Sequence, residues 1–275
     1  MRHTMVSLER KHGNRLDACI QLHAVPSSLD GKNLHYNLFL PTTLTSIDKR
    51  MPLLVILHGT NPRTKIFLSR TKAIHPAEEY GFAVVSPIAR RYQFYTHESE
   101  QDMLDIIDSV VAAHPIDEKR VFLVGNSVGG WGAYYLGLKQ AGKFAGIGAF
   151  TAPVDLPMLY QQLMEHEPGH YGPGNEGLKH VFKETFGATP DEQPSLFTPF
   201  TLKGLLEFAT ATSPRVFIGH GRKDKTVPVE WVQRMLSGLE AKGVPAKLAL
   251  TWDGHGMVVF HKKCFEMLEY FGLAF

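Results

Sequence analysis

The stretch Gly125-Asn126-Ser127-Val128-Gly129 constrains this chain more than any other, because of what stands on either side of it. Ahead lies the apolar run Val121 to Val124, which reads as a strand buried on both faces. Behind lies a segment of helical pattern. A serine at such a strand-to-helix corner is expected to occupy a strained turn and to project its hydroxyl above a sheet. Side chains two positions before and after it would collide across so tight a turn, which accounts for glycine at 125 and 129. Gly130, Gly132 and Ala133 then keep the following helix slim for close packing. A glycine-rich turn of this kind can also cradle a phosphate. That use wants a nearby lysine, and Lys139 lies too far along.

The rest of the chain supplies a setting for that corner. From Leu34 onward, short apolar runs alternate with longer segments of helical period, the pattern of a mostly parallel sheet covered by helices. Leu16 to Ala24 and Leu34 to Leu40 read as opening strands, with a hairpin across the stretch containing Pro26, Asp30 and Gly31. Leu53 to Leu57 and Phe82 to Val85 join Val121 to Val124 as central strands. Val216 to Ile218 and Leu248 to Trp252 are two more. Met103, Ile106, Ile107, Val110 and Val111 recur at helical spacing, and Ser99 with Asp102 has the spacing of a capping box. A second helix carries Val229, Val232, Met235, Leu236 and Leu239, with Gly243 placed for a left-handed residue after its end. Residues 153–213 break the rhythm, with a Pro/Gly-rich stretch from Pro168 to Gly177 flanked by short helical patterns such as Leu156 to Met164. They are expected to form a cap inserted into one α/β domain spanning 1–275.

Composition narrows the function classes. The 275 residues are 44% hydrophobic and 20% charged, the balance of a globular chain with a sizeable core. The net charge is only +2 and the basic clusters are short, which argues against a nucleic-acid partner. No apolar run approaches the roughly 18 to 20 residues that span a bilayer, so no membrane partner is expected. Met1 to Asn14 is polar and charged where a signal peptide is apolar, so a cytoplasmic location is expected. The two cysteines, Cys19 and Cys264, are read as unpaired thiols without metal-ligand spacing, and no metal or cofactor is expected. The sequence carries no signal for oligomeric state.

A serine hydroxyl needs a base to take its proton, and that base needs a third group to fix its tautomer. Of the 14 histidines, His255 follows the strand Leu248 to Trp252 on a loop at the carboxyl end, where active sites of such sheets gather. Asp224 follows the strand Val216 to Ile218 by a short loop, which completes the chain order Ser, Asp, His. Asp253 is too close to His255 in sequence to aim easily at its far nitrogen, and Asp155 is the substitute acid. Acyl transfer also requires donors for the developing oxyanion. The backbone N–H of Val128 and that of Thr60, in the loop after Leu53 to Leu57, are the expected pair. His58 is read as a brace for that loop.

These residues resemble a known superfamily. His58-Gly59, the elbow at 125–129, Gly219-His220-Gly221 leading through Asp224 to Val227-Pro228, and Gly254-His255-Gly256 look like α/β-hydrolase motifs in order, from about Tyr36 to the C-terminus. Within that fold the chain is similar to the esterases grouped with prolyl-oligopeptidase-like catalytic domains, a neighbourhood that includes feruloyl and polyhydroxybutyrate esterases. The chain has no room for the propeller of the prolyl peptidases and lacks their oxyanion-hole tyrosine after Thr60. The resemblance therefore implies a carboxylesterase acting on a small-molecule ester, with amide or peptide hydrolysis and an inactive binding protein as the other readings. Arg90, Arg91, Tyr92, Phe94, Tyr95 and His97, after the strand Phe82 to Val85, are candidates to line the pocket. Trp131, one turn past Ser127, is a further candidate, although a tryptophan there more often packs in the core. Tyr160, His170 and Tyr171 in the cap are unassigned.

Overall fold

A computed structural model of the chain describes residues 13–42, 50–59, 68–69, 71–88, 94–165 and 174–275. Its eight strands are β1 (Gln21–Pro26), β2 (Asn33–Phe39), β3 (Met51–Leu57), β4 (Ala83–Pro87), β5 (Ile116–Asn126), β6 (Gly146–Phe150), β7 (Arg215–Gly221) and β8 (Ala246–Thr251). They form one sheet in the order β1-β2-β4-β3-β5-β6-β7-β8. The first two strands run antiparallel to their neighbours and the other six are mutually parallel. This order, with helices on both faces, is the α/β-hydrolase fold.

The central strands are apolar at every position because both faces are covered. In β3, Leu53, Val55 and Leu57 join the core on one side of the sheet, which also takes in residues of α2 (Glu98–Ala113), α3 (Val128–Lys139) and α7 (Val229–Ala241). Leu54 and Ile56 pack on the other, against α1 (Ile74–Tyr80) and α8 (Met257–Phe271). The period of two sends successive side chains to opposite cores. Each such buried aliphatic side chain contributes about 1.5–3 kcal/mol.

Between β6 and β7 the chain runs through α4 (Leu156–Glu165), α5 (Gly174–Phe186), a 3-10 turn (Pro194–Phe200) and α6 (Leu202–Glu207). Aromatic rings hold this segment together. Phe182, Phe186, Phe197 and Phe200 pack on one another, and Phe94 and His97 pack on them from the turn before α2. The carboxylate of Asp155 accepts the N–H of Met158 at 2.8 Å and that of Leu202, 47 residues farther on, at 3.0 Å. One side chain thus joins the outgoing stem to the returning one.

Several local expectations are corrected. Gly13–Cys19 is a 3-10 helix, so the first strand starts at Gln21 and not at Leu16. The Ser99–Asp102 spacing is not a capping box. Helix α2 begins a residue earlier, at Glu98, after His97, which makes no side-chain cap, and the Asp102 carboxylate instead accepts the Ser27 hydroxyl at 3.0 Å. The Pro/Gly-rich stretch passes into α5 at Gly174. Trp252 falls just outside β8 and is 74% exposed. Gly243 is left-handed as expected. No described helix is long and apolar enough to cross a membrane.

Candidate active site

Ser127 stands between β5 and α3 with φ 56° and ψ −123°, a conformation that L-residues rarely adopt. Its surroundings impose it. Its N–H donates to the Phe150 carbonyl at 2.8 Å, and its own carbonyl accepts the N–H of Trp131 at 3.0 Å. A Cβ at Gly125 would lie 2.0 Å from the Gly129 carbonyl oxygen, and one at Gly129 would lie 2.3 Å from that of Leu57. No side chain fits at either position. Val128 opens α3, whose first N–H groups have no intrahelical acceptor, so its N–H is a spare donor beside the serine.

The loops after β7 and β8 are knitted together by main chain. The N–H of Arg222 donates to Thr251 at 2.8 Å and that of Lys223 to Asp253 at 3.0 Å. A Cβ at Gly221 would lie 2.3 Å from the Asp253 carbonyl oxygen, so the close approach requires glycine there. On this base Asp224 is fully buried. Its Oδ1 accepts the N–H groups of Thr226 and Val227, each at 2.9 Å, which leaves Oδ2 for the Nδ1–H of His255 at 2.8 Å. The Nε2 of His255 lies 2.9 Å from Ser127 Oγ, within reach of its proton. Gly256, at φ 127°, then turns the chain into α8. The structure brings Ser127, His255 and Asp224 into one hydrogen-bonded row.

The other carboxylates are engaged elsewhere. Asp253 binds Lys262 at 2.8 Å, and that bond holds its carboxyl below the usual range. Asp155 spends both oxygens on the stems described above. Among the described residues no group of three or more His, Cys, Asp or Glu side chains could hold a metal ion.

His58 directly follows β3 and is buried. Its Nδ1–H donates to the Gly59 carbonyl at 2.6 Å, and burial pushes its pKa below the ordinary imidazole value. Its carbonyl accepts the hydroxyl of Tyr95 at 2.6 Å. Tyr95 therefore differs from expectation. It is 4% exposed, its ring fills the space beside Gly132, and burial drives its phenol pKa up. Trp131 is not a pocket residue but follows its core alternative: it is wholly buried, with Nε1 donating to the Phe94 carbonyl at 3.1 Å. Both brace the turn at 94–97 and neither offers a surface to a ligand. Tyr160 is buried against Phe182, and His97 is exposed. Thr60, Arg90, Arg91, Tyr92, His170 and Tyr171 lie outside the described residues.

Sequence reasoning passed over His220, which lies 3.6 Å from Asp224 Oδ2 with its side chain fully buried. The signal was its position near the end of an apolar strand, where a solvated histidine is out of place.

Comparison with known proteins bears on the fold and on the class of chemistry. The family model for esterase PHB depolymerase matches residues 34–155. The S-formylglutathione hydrolase of Mus musculus is 23% identical over 207 residues, which cover 63% of this chain and 71% of that protein. Among solved structures, the substrate-bound fluorophosphonate-binding serine hydrolase F of Staphylococcus aureus superposes with a TM-score of 0.72 at 19% identity, covering 92% of this chain and 97% of that one. A Mycobacterium tuberculosis puromycin-hydrolyzing peptidase reaches 0.73 at 16% identity, over 94% of this chain and only 40% of its own. The chain has the α/β-hydrolase fold, and the esterase-family match over residues 34–155 supports a hydrolase with ester chemistry.

Proposed function

We propose that the chain is a serine carboxylesterase that works through an acyl-enzyme on Ser127. The observation that carries the reading is the row from Ser127 Oγ to His255 Nε2 at 2.9 Å and from His255 Nδ1 to Asp224 Oδ2 at 2.8 Å. His255 takes the hydroxyl proton as Ser127 attacks the ester carbonyl, then passes it to the departing alcohol. Water activated by the same imidazole attacks the acyl-enzyme and releases the acid. Asp224 fixes the tautomer and stabilises the imidazolium. The Val128 and Thr60 N–H groups receive the oxyanion, a contribution of roughly a hundred- to a thousandfold per donor in comparable sites. Residues 153–213 act as a cap over the acyl and alcohol pockets, and Arg90, Arg91 and Tyr92 supply polar contacts to the substrate.

Esterase is favoured over peptidase because the family match and the curated relative are both named for esterase or thioester chemistry. The test is hydrolysis of p-nitrophenyl esters of increasing acyl length by wild type and Ser127→Ala, with aminoacyl anilides alongside. Ester turnover that drops by about 10⁴ to 10⁶ in the variant is expected. Wild-type rates in Ser127→Ala, or anilides turned over as fast as esters, would sink the reading.

A further inference from the structure

His220 is the next-to-last residue of β7 and takes no part in the proton path above, yet it is buried against it. Its Nε2 lies 2.8 Å from the Val227 carbonyl and 3.6 Å from Asp224 Oδ2. Both neighbours accept hydrogen bonds, so Nε2 must carry the proton. Nδ1 has no partner among the described residues, and a second proton there would be buried with nothing to receive it. Burial accordingly pushes the pKa of this imidazole down. Asp224, the Val227 carbonyl and Glu230 oppose that shift, and His255 adds to it. His220 is a neutral imidazole in a single tautomer.

The consequence lies in Val227. Its N–H holds Asp224 Oδ1, and its carbonyl is held by His220. The peptide groups that orient the carboxylate are thus tied back to the rigid end of β7. We propose that His220 is a positioning residue for the acid, whose Nε2–H fixes the Asp224–Val227 turn so that Oδ2 stays aimed at His255. Neutrality is part of the role, because a charged imidazole 3.6 Å away would compete with His255 for the same oxygen. The inference rests on the Ser–His–Asp reading and goes beyond it by adding a fourth side chain.

The experiment compares wild type, His220→Leu and His220→Gln as full chains, measuring kcat and KM on p-nitrophenyl acetate and the rate of covalent inactivation by diisopropyl fluorophosphate. His220→Leu is expected to lower kcat and the inactivation rate together by about ten- to a hundredfold, the scale of a displaced catalytic group, with KM little changed. His220→Gln, whose amide N–H can reach the Val227 carbonyl, is expected to recover most of that loss. Should the leucine variant not fold, His220→Met carries the same comparison. Wild-type kcat in the apolar variant overturns the proposal, and so does equal loss in the apolar and glutamine variants, which would make His220 mere core volume. A wild-type enzyme inert to the fluorophosphate removes the serine mechanism and this role with it. A reactive wild type beside a fully active apolar variant removes the role alone.

Discussion

Two regions at the carboxyl edge of the sheet are held by opposite means. The loops that carry Asp224 and His255 are short and joined by main-chain hydrogen bonds at 2.8 and 3.0 Å, with glycine where the backbones nearly touch. The segment between β6 and β7 is held by side chains: a cluster of phenylalanines, the Asp155 clasp, and a bond of 2.9 Å from Gln162 to the Lys225 carbonyl. Main-chain bonds place atoms to fractions of an ångström and tolerate almost any side chain. Ring packing fills volume and changes with each substitution. Asp224 and His255 therefore sit on the part that sequence drift disturbs least, and the β6–β7 segment is the part that can be reshaped.

That contrast can be broken experimentally, starting where the effect is largest. Asp224→Asn should lower kcat by about 10⁴, the loss known for the same exchange in another Ser–His–Asp enzyme, because an amide favours the wrong imidazole tautomer. An active variant would separate the row from the chemistry. Gly129→Ala puts a methyl 2.3 Å from the Leu57 carbonyl oxygen, so the elbow must shift. A fall of about 10² in kcat, read by steady-state kinetics, is expected from a displacement of about 1 Å. Asp155→Ala removes two charge-assisted hydrogen bonds from the stems, at a cost of about 2 kcal/mol in urea unfolding. It should raise KM with kcat nearly unchanged, and an equal loss of kcat would show that the two regions are not independent.

The smallest expected effect is on pH-dependent stability. His220 stands in the main-chain-held region and His58 just after β3, and both have pKa values lowered chiefly by burial. The unfolded chain then binds protons that the folded one refuses. Their contribution is fully present above the ordinary imidazole value near 6.5 and is lost as pH falls below it. The thermal unfolding midpoint should decline between about pH 6.5 and 5, and His220→Gln should flatten that slope.

How much of this could be read from the chain depends on how local each constraint is. The elbow was legible because a two-residue clash across one turn dictates glycine at 125 and 129 whatever surrounds it. The meeting of Ser127, Asp224 and His255 was legible from strand ends and chain order. The role of Tyr95 was not, since whether an aromatic after β4 faces a ligand or fills space depends on Gly132, which belongs to another element. The capping box failed for the same reason: Ser27, 75 residues from Asp102, had first claim on the carboxylate. His220 needs knowledge of Val227 and Asp224 together, which only the folded loop supplies.

The Asp155 clasp bears on how such a chain can be lengthened. Its two stems meet at one carboxylate beside β6, so the span between them is already a closed loop whose ends stay fixed regardless of what it contains. Closing a longer loop costs little, about 0.6 kcal/mol for each doubling. Under the proposed function, an engineer could exchange the residues after Met158 and up to the 3-10 turn for a segment of another size, keep Asp155, Met158 and Leu202, and graft a new substrate preference onto an unaltered catalytic edge.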